Sequence, residues 1–313
     1  MNTPLLTIII PLKDRLSLLK ETINAIKSQS SKKWQTYLID DGSNEETMCF
    51  LEDLTISDNR FHLFIRKNGY SGPNACRNLG VRNSNTKYIL FLDSDDILAP
   101  HAISRRIKAM ENNNDLDFSL FSTRVFYTNI NETFPWFEDW NGTSELDRLL
   151  KMDWPINISS PTWNRKFLLN AGLFDETLIS WDDWEMHTRI LIGNPKFLRF
   201  NEEADFFIRA TESSSRLSSI QYTDSLHLQN AINVFLKITY LLKEKNLLTS
   251  DRAGYLAKQF FSTAYLSLNT DGIIISLKRL RESNILIPYI SKSTYITYLI
   301  RLIYCYAKRL KKF

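Results

Sequence analysis

Cysteine, histidine and an excess of either charge are all scarce in this chain, and each shortage removes a class of protein. The three cysteines, Cys49, Cys76 and Cys305, are odd in number, far apart and without a C-x-x-C pair. That leaves neither a disulfide framework nor a zinc knot, and it fits a reducing compartment. The four histidines, His62, His101, His187 and His227, show no metal-ligand spacing. Lys and Arg number 39 against 35 Asp and Glu, a formal net charge of +4 over 313 residues, so charge implies no nucleic-acid partner. No basic stretch precedes the apolar run Leu5 to Pro11, which is too short for the core of a signal peptide. The glycosylation sequons at Asn131, Asn141 and Asn157 therefore carry no weight. A membrane-crossing run is missing as well, because Arg301 interrupts the short apolar stretch near the C-terminus. The expected location is cytoplasmic.

What is present is 43% hydrophobic and 12% aromatic residues, enough for one substantial core and a smaller appended region. Leu6-Thr7-Ile8-Ile9-Ile10-Pro11 is a β-branched run closed by proline, the pattern of a strand buried on both faces of a parallel sheet. Leu16, Leu19, Ile23 and Ile26 then recur at helical spacing. Further strands are expected at Trp34 to Ile39, Phe61 to Ile65 and Lys87 to Leu92, with a helix starting near Asn44-Glu45-Glu46. Strands alternating with helices predict a doubly wound α/β unit, a Rossmann-like nucleotide-binding sheet, over residues 1–99. Residues 100–212 are mixed and carry Trp136, Trp140, Trp154, Trp163, Trp181 and Trp184, either core residues or a floor on which sugar rings stack. Residues 213–313 read as helices at Leu226 to Lys245, Ala253 to Leu268, Ile273 to Leu280 and Tyr295 to Leu310. The expected division is a catalytic domain over 1–212 and a helical C-terminal extension.

In doubly wound sheets ligands sit at the carboxyl ends of the strands. Acidic residues stand there in this sequence: Asp14 after the first strand, Asp40 and Asp41 after the second, and Asp93, Asp95 and Asp96 after the fourth. Asp93-Ser94-Asp95 suits a divalent cation that has few protein ligands and shares its shell with phosphates. Two plainer readings compete. Acids after a strand often shape a turn or cap a helix. A calcium loop is excluded, because Leu98 stands where such a loop requires glycine.

Several segments taken together are more specific than any one of them. Ile8-Ile9-Ile10-Pro11-Leu12-Lys13-Asp14-Arg15, Ile39-Asp40-Asp41-Gly42-Ser43, Asn68-Gly69 followed by Ala75-Cys76-Arg77-Asn78-Leu79-Gly80, and Phe91-Leu92-Asp93-Ser94-Asp95-Asp96 resemble family 2 glycosyltransferases of the GT-A fold. Gly172-Leu173-Phe174-Asp175-Glu176 and Trp181-Asp182-Asp183-Trp184-Glu185-Met186-His187-Thr188-Arg189 continue the resemblance, which covers roughly residues 5–212.

That resemblance implies an inverting, metal-dependent transferase that moves a sugar from a nucleotide diphosphate donor, a UDP-sugar first of all, to a glycan or lipid-linked acceptor in bacterial surface-polysaccharide synthesis. It implies that Asp41 meets the base, with Pro11 and Asp14 lining the same pocket. Arg77 is placed by the base or the diphosphate, Asp93 by the ribose, and Asp95 on Mn2+ or Mg2+. Asp96 is a candidate cap for the helix after Pro100. Asp183 is implied as the general base, with Asp182, Trp181, Trp184 and His187 as candidate acceptor-site residues. Charge repulsion by Asp182 and Glu185 and desolvation by Trp181 and Trp184 would favour its proton-accepting role. Asp182 and Asp183 equally suit the first turn of a helix, where the dipole stabilises acids, and the two roles are compatible. His187 is open to a structural role.

One position departs from the family pattern: Thr211 follows Ile208-Arg209-Ala210 where relatives often carry a metal-assisting histidine. The serines between 213 and 219 read as a lid or a plain linker. Near the C-terminus Tyr295, Leu299, Leu302, Ile303, Tyr306 and Leu310 recur at helical spacing, beside Arg301, Lys308, Arg309, Lys311 and Lys312 with no acid. Residues 295–313 therefore suit an anionic membrane face, or packing on the protein or on a second subunit. Two other functions compete with this one. A nucleotidyltransferase wants a glycine-rich basic loop after strand one, and Leu12-Lys13-Asp14-Arg15 has no glycine. A non-catalytic sugar-nucleotide scaffold has no need to keep Asp93, Asp95 and Asp183.

Overall fold

Every residue of β1 (Leu6–Leu12) except Pro11 is buried, so the strand must be covered on both faces, and the chain supplies the covers from helices on either side. In the computed structural model, which describes residues 3–67, 69, 71–136, 143–201, 203–210 and 222–310, β1 lies between β2 (Trp34–Asp40) and β4 (Tyr88–Phe91), parallel to both. β3 (Phe61–Ile65) extends the parallel set beyond β2. On the other side β9 (Pro161–Asn164) runs antiparallel between β4 and β6 (Phe118–Phe121), and β10 (Phe197–Phe200) pairs with β6. The seven-stranded order is β10-β6-β9-β4-β1-β2-β3.

The even side of β1, Leu6, Ile8, Ile10 and Leu12, packs on Leu19, Ile23 and Ile26 of α1 (Leu16–Lys27), on Leu51 and Leu54 of α2 (Glu45–Ser57), and on Ile103, Ile107 and Met110 of α4 (Ala102–Asn112). The odd side faces α3 (Pro73–Asn83), where Gly80 allows close approach: a Cβ there would stand 2.5 Å from Ile9 Cγ2. Thr7 closes the same face through hydroxyl contacts of 2.8 and 2.7 Å with Ser84 and Thr86.

A second, four-stranded sheet has the order β5-β11-β7-β8, from β5 (Ile97–Leu98), β11 (Phe206–Arg209), β7 (Thr123–Phe126) and β8 (Phe134–Pro135). It is tied to α4 by a fully buried ion pair. Arg106 donates Nε and Nη2 to Asp205 at 2.9 and 2.7 Å and Nη1 to the Ser159 carbonyl at 2.8 Å. The bidentate geometry and the third bond leave that buried charge compensated.

Two compact units divide the chain: Met1–Asp139, Ile156–Thr177 and Asn194–Thr211 form one, and Trp140–Pro155, Leu178–Gly193 and Glu212–Phe313 the other. Both sheets, with α6 (Arg165–Asn170), belong to the first. The second is helical among its described residues: α5 (Glu145–Lys151), α7 (Asp182–Ile192), α8 (Ser225–Glu244), α9 (Ser250–Thr270), α10 (Gly272–Arg281), a 3-10 turn at Glu282–Leu286, and α11 (Lys292–Leu310). Two segments from within 100–212 thus join the C-terminal helices. No described helix is long and apolar enough to cross a membrane. A largely parallel sheet with helices on both faces is the doubly wound α/β arrangement that the sequence predicts for residues 1–99.

Candidate active site

Three loops at the carboxyl ends of β1, β2 and β4 carry the acids that the sequence singled out in the first unit, and side chains tie the first loop to each of the other two. Asp14 and Arg15 both take a left-handed backbone, with φ of 57° and 60°. The Asp14 N–H donates to Ser43 Oγ at 2.8 Å, and Asp14 Oδ1 accepts from the Asn44 N–H at 2.8 Å, which fastens the first loop to the second. The two neighbouring aspartates after β2 do different work. Asp40 is buried and accepts from the N–H groups of Gly42 at 3.0 Å and Ser43 at 3.1 Å, a turn that Gly42 completes at φ 94°. Asp41 accepts from Arg66 Nε at 2.6 Å and from the Gly72 N–H at 2.7 Å, at the positive end of α3.

The loop after β4 is pinned from beneath. Thr22 of α1 donates to the Ser94 and Asp96 carbonyls at 3.1 and 2.9 Å. Asp96 accepts from the Arg209 N–H at 2.9 Å, and Arg209 Nε donates to the Asp95 carbonyl at 3.1 Å. Asp96 is therefore a fastener between this loop and β11, while α4 begins at His101 with no side-chain cap. With their backbone fixed, Asp93 and Asp95 turn their carboxylates to arginines. Asp93 Oδ1 accepts from Arg77 at 2.8 Å and Asp95 Oδ2 from Arg15 at 3.1 Å.

Three of the acids that the sequence singled out for ligand work are thus matched by a guanidinium: Asp41 by Arg66, Asp93 by Arg77, Asp95 by Arg15. Sequence reading assigned a role only to Arg77 among these. Arg15 and Arg66 carry no local signal, because their partners stand 80 and 25 residues away. Pro11, half-buried near the end of β1, borders the same loops. Arg77 also lies over the Phe174 ring, 5.3 Å from its centre. The next residue, Asn78, reads the Gly172–Glu176 segment through its amide, donating to the Phe174 carbonyl at 2.9 Å and accepting from its N–H at 3.0 Å. Two separate motifs thereby form one support for Arg77. Cys76, buried on α3, has its thiol pushed up to about 11 by burial and then by the charge of Asp41.

Among the described residues no three Asp, Glu, His or Cys side chains form a closed metal cage. The carboxylate oxygens of Asp93 and Asp95 are hard donors of the kind that Mg2+ or Mn2+ takes together with phosphates and water. The residues fit that group and no dedicated all-protein site.

In the second unit, α7 starts at Trp181, again left-handed at φ 64°, so that Asp182, Asp183 and Glu185 fill its first turn. Asp182 and Asp183 are half-buried, and Asp183 Oδ1 accepts from the Trp184 N–H at 2.8 Å. Trp184 is fully buried, donates Nε1 to the Leu149 carbonyl at 2.8 Å and packs edge-on to Phe235. Together with His187, also buried, it belongs to the core of this unit. Trp181 stands between Trp154 and Phe235, with ring centres 5.9 and 5.2 Å away. Glu185, fully buried, is met by Arg189 at 2.7 Å and Lys237 at 3.0 Å, so its charge is balanced locally. Thr211 and the serines between 213 and 219 lie outside the described residues.

Comparison with known proteins shows the family and the fold. The sequence model of a family described as Glycosyl transferase family 2 matches residues 7–173. An uncharacterized glycosyltransferase of Rickettsia felis is 38% identical over 132 residues, 42% of this chain and 21% of that protein. A Campylobacter jejuni GalNAc(5)-diNAcBac-PP-undecaprenol beta-1,3-glucosyltransferase is 33% identical over 101 residues, 32% of this chain and 33% of that protein. The matches therefore span a third or less of these two relatives' lengths. Among solved structures, Staphylococcus aureus TarS 1–349 in complex with UDP-GlcNAc superposes with a TM-score of 0.67 at 16% identity, over 89% of this chain and 79% of that one. More distant neighbours of similar fold, at 14% identity, were solved with Mn2+.

Proposed function

Because the chain belongs to glycosyl transferase family 2, we propose that it transfers a sugar, with inversion, from a nucleotide diphosphate donor to a glycan or lipid-linked acceptor in bacterial surface-polysaccharide synthesis. The observation that carries this reading is the convergence of Asp14, Asp41, Asp93 and Asp95 on adjoining loops at one edge of a parallel sheet, each loop tied down by bonds of its own. UDP is the nucleotide we assign, on the match of Asp41 to the family's base-contacting acid and on the UDP-GlcNAc held by the TarS neighbour. The undecaprenol-linked substrate named for the Campylobacter relative supports a lipid-linked acceptor.

Transfer asks three things of the protein. The departing diphosphate must be neutralised, the acceptor hydroxyl must lose its proton, and the sugar must be held between them. Asp95 would hold a divalent cation, which supplies positive charge to the diphosphate when bound, and Asp93 would face the ribose. Arg15, Arg66 and Arg77 bring fixed positive charge to the same loops, and Arg77, set over the Phe174 ring, is the least exposed of them. Asp183 is the residue we assign as base on its motif, in the first turn of a helix on which Glu185 is paired with Arg189 and Lys237.

Release of UDP from a panel of UDP-sugars, with Mn2+ or with chelator, tests the reading. Wild-type protein is expected to turn over only with the cation, and Asp95→Asn to fail in both conditions. Asp183→Asn is expected to bind donor and lose about 10²- to 10⁴-fold in transfer. No nucleotide release by the wild type with any donor would favour a scaffold, and full turnover by Asp183→Asn would remove it as the base.

A further inference from the structure

α11 is apolar on two faces, and only one of them is used inside the protein. Tyr295, Tyr298, Leu299, Leu302, Cys305 and Tyr306 pack against Ala264 and Leu268 of α9 and Leu280 of α10, with the Phe261 and Tyr298 rings stacked at 4.8 Å. That stripe accounts for most of the helical periodicity visible in the sequence, and it is satisfied by protein. The other face carries Ile296, Ile300, Ile303 and Tyr304, which are 52%, 60%, 48% and 64% exposed. Their spacing of four, seven and eight residues from Ile296 places them along one side of the helix.

An ordinary surface helix sets polar residues opposite its core stripe. Here bases take that place beside the isoleucines: Lys292, Arg301 and Lys308 are exposed, and no Asp or Glu occurs from 292 onwards. Arg309, Lys311 and Lys312 add to the same excess in the sequence. A second copy of the chain fits this face poorly, since a two-fold contact would set one row of bases against another. An anionic lipid surface fits it on both counts, taking isoleucine and tyrosine into the boundary between headgroups and acyl chains while phosphates meet Arg301 and Lys308.

We propose that the outer face of α11, Ile296, Ile300, Ile303 and Tyr304 with Arg301 and Lys308, lies flat on anionic membrane. The inner stripe holds the helix to α9 and α10 in the bound and free protein alike. The proposal stands apart from the sugar-transfer reading, because docking needs neither donor nor acceptor.

Sedimentation of the full chain with phosphatidylcholine vesicles, with and without phosphatidylglycerol, tests it. Binding is expected only where phosphatidylglycerol is present, and it should weaken as salt rises. Ile300→Asp with Ile303→Asp, and separately Arg301→Glu with Lys308→Glu, should each reduce partitioning about tenfold or more. These side chains are exposed, so helix content and unfolding midpoint should stay at wild-type values and report the fold of each variant. Equal binding to neutral vesicles, no binding to anionic ones, or undiminished binding by both folded variants would overturn the proposal. So would a dimer that Ile300→Asp dissociates in a protein that ignores vesicles, which would make a second copy the occupant.

Discussion

Asp95 and Arg15 meet at 3.1 Å with the arginine side chain 44% exposed, so their attraction is that of a partly screened surface pair, about 0.2–1 kcal/mol. A cation that takes Asp95 must displace that contact. Arg15→Gln should therefore tighten Mn2+ binding in the absence of nucleotide, by no more than roughly fivefold, as measured by titration calorimetry. An unchanged or weaker affinity would show that Arg15 does not compete for Asp95. Cys76 gives a second test at this scale. Burial raises its thiol from 9.0 to about 11. A group whose folded pKa lies above its unfolded value stabilises the fold fully below the unfolded value and loses that contribution as pH climbs through the folded one. Cys76 should thus weaken the fold progressively between those two values, and Cys76→Ala should flatten the decline. At about pH 8 a maleimide should label exposed Cys49 and spare Cys76 until denaturant is added.

At the scale of the element, α3 shows which parts of this fold the sequence displays and which it conceals. β1 and α1 are plain in the sequence because their apolar residues repeat with the period of the element. α3 has Asn74, Arg77, Asn78 and Arg82 among few apolar residues, so periodicity does not reveal it, although it carries Arg77 and braces the Gly172–Glu176 segment. β9 is likewise concealed, four residues that begin with proline and enter the sheet antiparallel between β4 and β6, a pairing that no local pattern encodes. The acids of the site were legible because each follows a strand. Two of their arginine partners, Arg15 and Arg66, were not, because folding alone brings them to those acids. Gly80 tests how tightly α3 must lie on β1. Alanine in a helix interior gains up to about 1 kcal/mol over glycine. Here its Cβ would come 2.5 Å from the Ile9 side chain, and overpacking of that kind costs about 1–3 kcal/mol. The clash should win, so urea denaturation is expected to find Gly80→Ala less stable, by up to about 2 kcal/mol, with part of the loss recovered by Ile9→Val. A Gly80→Ala protein as stable as wild type would mean the helix has room to shift.

Across the whole molecule, the acids assigned to the donor lie in the unit built on the two sheets, and the residue assigned as base lies in the helical unit. Binding and proton transfer should therefore separate under mutation. A ligand that binds only the folded state raises stability by about 2.7 kcal/mol at a hundredfold excess over its dissociation constant. UDP-sugar with Mn2+ is accordingly expected to raise the unfolding midpoint of the wild type, and chelator should remove most of that rise. Asp95→Asn should show little rise with or without the cation, since the carboxylate that links metal to donor is gone. Asp183→Asn should keep the full rise, because it changes a different unit and a later step. A loss of donor stabilisation in Asp183→Asn as large as that in Asp95→Asn would mean that the helical unit helps to hold the donor, and the division of labour argued from the two sets of acids would have to be redrawn.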